Sequence, residues 1–181
     1  MKQFLNIAGD PTASPMDNIP PVAEFRDAMR HLASGVSLVT TMGADGRRQG
    51  MLATAVSSVT ADPPTILVCV NRTATMHSAL IEGRNFCVNF LGHAHLELSR
   101  RFSSSEARDS RFDADRWTTL STGAPVLEGA LSALDCRLES AVEVGSHSVV
   151  FGKVMEIRVA PTSVDKPLLY YDRQYGAFVG V

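Results

Sequence analysis

The sequence lacks the glycine-rich motifs that most often hold nucleotides. No GxGxxG and no GxxxxGK[ST] occurs in its 181 residues, so neither the dinucleotide fingerprint nor the phosphate loop is present. GxSxG, HExxH and CxxC are also missing, which excludes the usual hydrolase and structural zinc motifs. A nucleotide bound by this chain would therefore have to be held in another way.

An excess of one charge and a long apolar run are missing as well. The 17 Lys and Arg residues nearly balance the 19 Asp and Glu residues, so there is no basic stripe for nucleic acid or an anionic membrane. No apolar run reaches the roughly 18 residues of a membrane span, and residues 1–20 show no secretion signal. The 3 cysteines lie far apart in apolar stretches, which is typical of reduced core residues. We expect a soluble cytoplasmic protein that binds neither nucleic acid nor membrane.

The composition changes once near the start of the chain. Residues 1–20 are rich in Pro, Asp, Ser and Gly and have no periodicity, which predicts a flexible N-terminal arm before one domain over residues 21–181. An apolar spacing of three and four then predicts an amphipathic helix over residues 22–33. Its apolar stripe consists of Val22, Phe25, Met29 and Leu32.

The rest of the pattern is mainly β. Apolar and β-branched runs predict strands at Val36–Thr41, Met51–Thr60, Thr65–Val70, Phe86–Leu91, Ala130–Val142, Val149–Val159 and Leu168–Tyr171. The first two runs flank turn residues and predict a hairpin. Short helices are predicted over Thr75–Glu82 and His95–Phe102, with a polar loop over Ser103–Asp115. Six or seven strands without regular strand and helix alternation predict an antiparallel barrel with a few short helices.

A run of small residues follows Gly50 and Met51 inside a predicted strand. Small side chains let a flat ring lie close to the strand, where backbone N–H groups near Thr54 and Ser57 can donate to it. The alternative is that small residues only relieve crowding at a barrel corner. The run consists of Ala53, Thr54, Ala55, Val56, Ser57 and Ser58.

A second candidate site lies where a predicted strand ends and a helix begins. Asn71, Arg72, Thr73 and Thr75 place an amide, a guanidinium and two hydroxyls beside the free N–H groups of a helix N-terminus. Such a turn binds phosphate groups. Thr73 or Thr75 serving as an ordinary N-cap is an equally good interpretation of the same residues.

Several segments together resemble one protein family. They are FRDAMRHLASGVSLVTT, GMLATAVSSVTADPPTILVCVNRTAT, FCVNFL, LSRRF, RFDADRW, GAPVLEGALSALDCRLE, VGSH and PLLYYDRQYG, which cover residues 25–176. In order and spacing they resemble the flavin reductase family, which includes the reductase components of two-component flavin monooxygenases. The resemblance implies an FMN-binding split β-barrel of Greek-key type. It also implies a homodimer with flavin near the subunit interface, and hydride transfer from NADH or NADPH to FMN or FAD.

The resemblance also assigns site residues. It implies that Met51 and the Ala53 to Ser58 run line the flavin ring, that Asn71 lies beside it, and that Arg72 and Thr75 hold its phosphate. The segment that resembles a cover over the flavin is Arg101, Phe102 and Ser103. His147 corresponds to a histidine that contacts the nicotinamide, and Tyr171 and Arg173 belong to a C-terminal motif near the same cleft.

Each of these assignments has a plainer alternative. The sequence has Gly145-Ser146-His147 where Gly-Asp-His is commoner in the family, so the orientation of His147 is open and it could be an ordinary turn histidine. Tyr171 and Arg173 could serve only a dimer interface. His93 and His95 are two apart at the start of a helix and would face different ways, so no metal site is expected. The segments VGSH, FDADRW and YYDRQY further resemble reductases of pyrimidine-ring-opening systems.

Other functions compatible with the same residues are a non-catalytic FMN-binding module, a structural barrel without ligand, and a flavin-dependent reductase of iron or cobalamin. If the chain is a flavin reductase, its side chains need little acid or base chemistry, because hydride donor and acceptor are both cofactors. The protein then contributes placement of the two rings. A flavin-dependent monooxygenase component is the partner that the family resemblance implies.

Overall fold

A computed structural model of the chain describes residues 19–104, 106–107, 110–161 and 165–180. Most of the predicted N-terminal arm, residues 1–18, lies outside the described residues. The described chain contains three short α-helices and twelve strands. Most strands pair antiparallel with the strand that precedes or follows them in the sequence. The helices are α1 (Val22–Met29), α2 (Met76–Gly83) and α3 (Leu96–Ser103), the last preceded by a 3-10 turn at His93–His95.

The fold is built on a seven-stranded antiparallel sheet with the order β3-β2-β6-β9-β10-β5-β4. Its strands are β2 (Ser37–Met42), β3 (Arg48–Ala53), β4 (Val56–Ala61), β5 (Pro64–Asn71), β6 (Asn85–Phe90), β9 (Ser132–Val144) and β10 (His147–Val159). The mainly β, antiparallel prediction is confirmed, and so is the hairpin of β2 and β3.

The extended run predicted over Met51–Thr60 is two strands, not one. The chain leaves β3 at Ala53 and begins β4 at Val56, and these two strands are the opposite edges of the sheet. The sheet must therefore curl for Thr54 and Ala55 to join its edges. Among the described residues no ladder joins β3 to β4, so the barrel is split along this seam.

The remaining described strands form two smaller sheets, and the sequence pattern predicted only one of these strands, β11. β1 (Ser34–Gly35), β11 (Leu168–Tyr171) and β12 (Gln174–Ala177) form one sheet, and β7 (Trp117–Thr119) pairs with β8 (Pro125–Leu127). These strands are two to four residues long. Segments this short carry too few alternating positions to produce a period-two pattern.

The main core lies between the curled sheet and α2. Val68, Val70 and Val150 are fully buried there against Met76 and Leu80 of the helix. A second cluster lies under α3, where Phe102 packs with Phe112 and Trp117. Burial of such side chains is the main stabilising contribution, about 1.5–3 kcal/mol for each large one.

Helix α1 does not pack its apolar stripe against this core. Val22, Phe25, Met29 and Leu32 are 46–65 % exposed, and no residue of the helix is buried. The helix therefore has the predicted amphipathic pattern without an apolar partner among the described residues. None of the described helices combines the length and the apolar composition that crossing a bilayer requires.

Candidate functional site

The larger of two clefts beside the small-residue run lies along edge strand β4. Thr54, Val56, Ser57 and Ser58 line one wall of a cleft of about 730 Å³, and β1, β2, β6 and β11 contribute residues to the rest. From Thr54 to Ser58 the run is exposed apart from half-buried Val56, because β4 pairs with β5 on one side only in the described sheet. The lining carries no charged side chain. This wall combines small side chains with a free strand edge.

The register of β4 on β5 decides which backbone groups face outward. Val56 lies opposite Val68, and the Cys69 N–H donates to the Ala55 carbonyl oxygen at 3.1 Å. Because such bonds alternate along an antiparallel pair, the N–H groups of Val56 and Ser58 point away from β5. They are free to donate to a ligand in the cleft, one residue on either side of Ser57.

Two residues predicted to line the flavin, Met51 and Ala53, do not line the β4 cleft. Ala53 is buried in the main core, and Met51 is half-buried against the same cluster. Side chains alternate along β3, so its inward positions serve packing. The small-residue run therefore divides into a packing part, which ends at Ala53, and an exposed part, which begins at Thr54.

The predicted phosphate turn connects β5 to α2. The Asn71 Oδ1 accepts from the Thr73 N–H and from the Thr73 hydroxyl, both at 2.9 Å, which fixes the turn as an Asx turn. Thr75 occupies the N-cap position of α2, is exposed, and makes no side-chain capping bond. The plain N-cap interpretation of Thr75 therefore has no hydrogen bond to support it.

Arg72 joins this turn to the tip of the β9–β10 hairpin. Its guanidinium lies 3.1 Å from the Glu143 carboxylate, and the backbone N–H of Arg72 donates to the Ser146 carbonyl oxygen at 3.0 Å. Both side chains of the ion pair are well exposed, which keeps the pair weak and exchangeable. A phosphate at this turn would compete with Glu143 for the same guanidinium.

His147 is the first residue of β10, so the prediction that places it on a turn is wrong by one position. The β10 and β5 register sets it directly opposite Asn71, at the start of the phosphate turn. The Ser146 hydroxyl lies 2.9 Å from His147 Nδ1. Ser146, which replaces the aspartate of the Gly-Asp-His pattern, is thus within hydrogen-bonding distance of the His147 ring. The exposed imidazole is near the Asn71–Thr75 turn.

The segment predicted to cover the flavin is mostly structural within the described chain. Phe102 is buried, with its ring 5.2 Å from that of Phe112, and a Cβ added to Gly50 would lie 3.0 Å from Phe102 Cε1. Arg101 forms an ion pair with Asp115. Ser103 donates to the Ser99 carbonyl oxygen at 3.0 Å. These side chains do not line the β4 cleft.

The charged residues between positions 111 and 116 are partly held by contacts within the fold. Asp115 is held by Arg101, and the Arg111 guanidinium donates to the Ser104 carbonyl oxygen at 2.6 Å. The loop between α3 and β7 is therefore tied to the fold by arginines as well as by the Phe112 ring.

The C-terminal motif borders a smaller groove of about 400 Å³ next to the β4 cleft. Arg173 lines it together with Thr54, Ala55 and the α1 residues Phe25 and Met29. Tyr171 does not line this groove. Its ring is 6.3 Å from that of His31.

The tyrosine that lines the groove is Tyr170, which sequence reasoning missed. Strand β11 pairs with β1 so that Tyr170 lies opposite Ser34. A two-residue strand such as β1 gives no sequence signal for this register.

A third cavity, of about 760 Å³, has Thr75 in its lining and shares no lining residue with the β4 cleft. The turn between β2 and β3 contributes Arg47, the start of β3 contributes Arg48, and the α3–β7 loop contributes Arg111. We call it the arginine-lined cavity. Sequence analysis assigned no site role to these arginines, because the β2–β3 hairpin and the α3–β7 loop are far apart in the sequence.

The buried ionisable groups are not poised for chemistry. Burial, assisted by the nearby Asp135 carboxylate, raises the pKa of the Cys136 thiol to about 12 and that of the Cys87 thiol further. Burial lowers the pKa of His95, so its imidazole is neutral at pH 7. Among the described residues no group of three His, Cys, Asp or Glu side chains could hold a metal ion.

Comparison with known proteins places this geometry in a family. The sequence pattern of the flavin reductase like domain matches residues 29–178. The chain belongs to the flavin reductase like family. This confirms the resemblance drawn from the sequence segments.

Individual family members agree over most of the chain. FMN reductase (NADH) RutF of Pseudomonas syringae pv. syringae is 44 % identical over 91 % of this chain and 94 % of its own length. A homologue of nitrilotriacetate monooxygenase component B from Mycobacterium thermoresistibile superposes with a TM-score of 0.82 at 29 % identity, over 87 % of this chain and 86 % of that one. The NADH:FAD oxidoreductase SgcE6 of Streptomyces globisporus, solved with NAD and FAD fragments, superposes with a TM-score of 0.78 at 27 % identity, over 87 % and 92 %.

Proposed function

We propose that this chain is an oxidoreductase that transfers hydride from NADH, or NADPH, to FMN or FAD. The observation that carries the proposal is the free edge of β4, with small side chains and two outward N–H groups along an uncharged cleft of about 730 Å³. A flavin ring needs donors along one edge and no bulk beneath it. Two of the relatives described above, the FMN reductase (NADH) and the NADH:FAD oxidoreductase, carry the corresponding activity in their names.

The residues divide the work of holding the cofactors. The N–H groups of Val56 and Ser58 donate to the ring edge, and Thr54 and Ser57 leave its face uncovered. Arg72, Thr75 and the N–H groups that open α2 hold the phosphate, in the way helix N-termini bind anions. When bound, the flavin supplies the ring that accepts hydride. Preorganised N–H dipoles favour the charge that reduction adds to that ring.

His147 is the residue we assign to the nicotinamide. Its place opposite Asn71 and its contact with Ser146 hold an exposed imidazole beside the phosphate turn. It orients the hydride donor and need not move a proton, because hydride transfer leaves no proton for it to remove. This role stays a prediction drawn from position.

The test of the function is NADH oxidation by the purified protein with and without added FMN, FAD and riboflavin. We expect flavin-dependent oxidation, and a thermal midpoint raised by FMN, because a ligand at a hundredfold excess over Kd stabilises the folded state by about 2.7 kcal/mol. A midpoint that rises without NADH oxidation would identify a non-catalytic FMN-binding module. A midpoint unmoved by FMN and FAD would reject the flavin site.

In the same assay His147→Ala should leave FMN affinity unchanged and lower kcat/KM for NADH about tenfold, the loss of one hydrogen bond to a charged group. A variant that is fully active with NADH and NADPH would leave His147 a structural residue.

We also propose that the protein forms a homodimer through α1. The exposed stripe of Val22, Phe25 and Met29 borders the groove that contains Thr54 and Arg173. A stripe of this kind on a soluble fold is typical of an interface, and a second copy is the commonest partner. Sedimentation that gives a single-chain mass at micromolar concentration would reject the dimer.

The reduced flavin, in this proposal, passes to a flavin-dependent monooxygenase component. One superposed relative is a homologue of nitrilotriacetate monooxygenase component B. Product formation by an oxygenase given only this protein, NADH and FMN tests that step. A cytoplasmic location also stays a prediction, consistent with three free cysteines.

A further inference from the structure

The arginine-lined cavity has no role in the function as proposed so far. It is about 760 Å³ in volume, within the range of roughly 300–1,000 Å³ typical of small-molecule sites. Thr75 lies in its wall, so it begins where the flavin phosphate is expected to end. A ligand held by the Arg72–Thr75 turn could extend directly into it.

The cavity has an excess of positive charge. Three arginines line it against two carboxylates, Asp45 and Asp113. The exposed Arg47 guanidinium lies 3.8 Å from the Asp45 carboxylate, a weak surface ion pair. Arg48 has no carboxylate partner among the residues that the structure describes.

Arg48 is also held in place before any ligand arrives. Its guanidinium carbon lies 5.2 Å from the centroid of the Phe112 ring, and that ring is buried between Phe102 and Trp117. A guanidinium stacked on an aromatic face keeps the N–H groups at its edge free to donate. Because the side chain is already held by the ring, it loses little rotamer freedom when a ligand binds. Such a group is suited to bind a phosphate oxygen pair.

We propose that the arginine-lined cavity binds the second phosphate and the adenosine of a flavin dinucleotide, so that this chain takes FAD and Arg48 favours FAD over FMN. The inference rests on the proposed function and names the larger of its two flavins. FMN ends at the Arg72–Thr75 turn, whereas FAD continues past Thr75 to Arg48. The adenosine diphosphate of a pyridine nucleotide has the same chemistry, and the experiment separates the two sources.

The test compares FAD and FMN dissociation constants, measured by flavin fluorescence, for the parent chain, Arg48→Ala, Arg48→Lys and Arg116→Ala. Arg116 is exposed and lines none of the three cavities, so Arg116→Ala removes the same charge elsewhere. We expect Arg48→Ala to weaken FAD about tenfold and FMN less than twofold, and Arg116→Ala to change neither. Arg48→Lys should recover part of the FAD affinity, since it keeps the charge without the paired donors. The thermal midpoints of the variants without ligand show whether all are folded.

Two results would overturn the assignment while leaving the proposed function intact. Equal changes in FAD and FMN would show that Arg48 acts on the shared flavin mononucleotide part, or not at all. An unchanged FAD constant with a raised KM for NADH or NADPH, measured with FMN as acceptor, would assign the cavity to the pyridine nucleotide. If the parent chain bound neither flavin, the proposed function itself would fall.

Discussion

The β4 cleft and the arginine-lined cavity both border the stretch from Gly50 to Thr54 but differ in chemistry. Thr54 lines the first and Gly50 the second, four residues earlier. The cleft is uncharged and offers backbone donors, whereas the cavity presents guanidinium groups. A neutral ring needs close approach and directed N–H groups, and a phosphate needs charge. The two regions are therefore suited to the two ends of one nucleotide.

The largest effect is expected from a bulky side chain that fills the β4 cleft, because this cleft and not the arginine-lined cavity should hold the flavin ring. Ser57→Trp places a large ring where the flavin ring should lie, and we expect FMN, FAD and riboflavin all to bind about a hundredfold more weakly, near 3 kcal/mol. All three ligands should be affected because all three carry the ring. Isothermal titration with each ligand measures the effect.

The matched control is Val59→Trp on the same strand. Val59 is 47 % exposed and does not line the cleft, so this variant adds the same bulk to β4 without blocking the ring. Tryptophan is well tolerated in strands, so both variants should fold. Normal FMN binding by folded Ser57→Trp would move the ring site away from β4.

A smaller effect is expected at the phosphate turn. Arg72→Ala combined with Thr75→Ala should weaken FMN about tenfold and leave riboflavin unchanged, because riboflavin has no phosphate. The ratio of the two dissociation constants is the measurement. Equal weakening of both ligands would place the phosphate elsewhere.

The smallest expected effect comes from the partner of Arg72. Glu143→Gln removes the carboxylate 3.1 Å from the guanidinium, and this exposed pair contributes at most about 1 kcal/mol. We expect FMN to bind about twofold to fivefold more tightly and riboflavin to stay the same. If the KM for NADH rises and FMN binding does not change, Arg72 instead supports the hairpin that carries His147.

The strands that follow a clear pattern were predictable from sequence, and their order in the sheet was not. The β2–β3 hairpin could be predicted because its turn residues and β-branched flanks are local signals, and the structure confirms it. The run over Met51–Thr60 gave no sign of its division at Thr54 and Ala55. Small and β-branched residues fit both strands equally well, and only the curl of the whole sheet separates them.

The structure gathers part of the predicted site around one cleft and leaves part of it elsewhere. The exposed part of the small-residue run lines the β4 cleft, and the sheet register sets Asn71 opposite His147, a pairing that the sequence did not predict. Phe102 was assigned to a cover over the flavin from the family resemblance, and its side chain is buried beside Gly50. Arg48 and Tyr170 were missed because contacts between residues far apart in the sequence have no local signature.

The short link at Thr54 and Ala55 has a consequence for insertions and deletions. Only three peptide units separate the Cα atoms of Ala53 and Val56, so at this end the two edge strands can be at most about 11 Å apart. One inserted residue would relax that limit and let the seam open, whereas an insertion in the turn between β2 and β3 would leave the seam unchanged. The width of the cleft at this end is thus limited by chain length and not by any side chain.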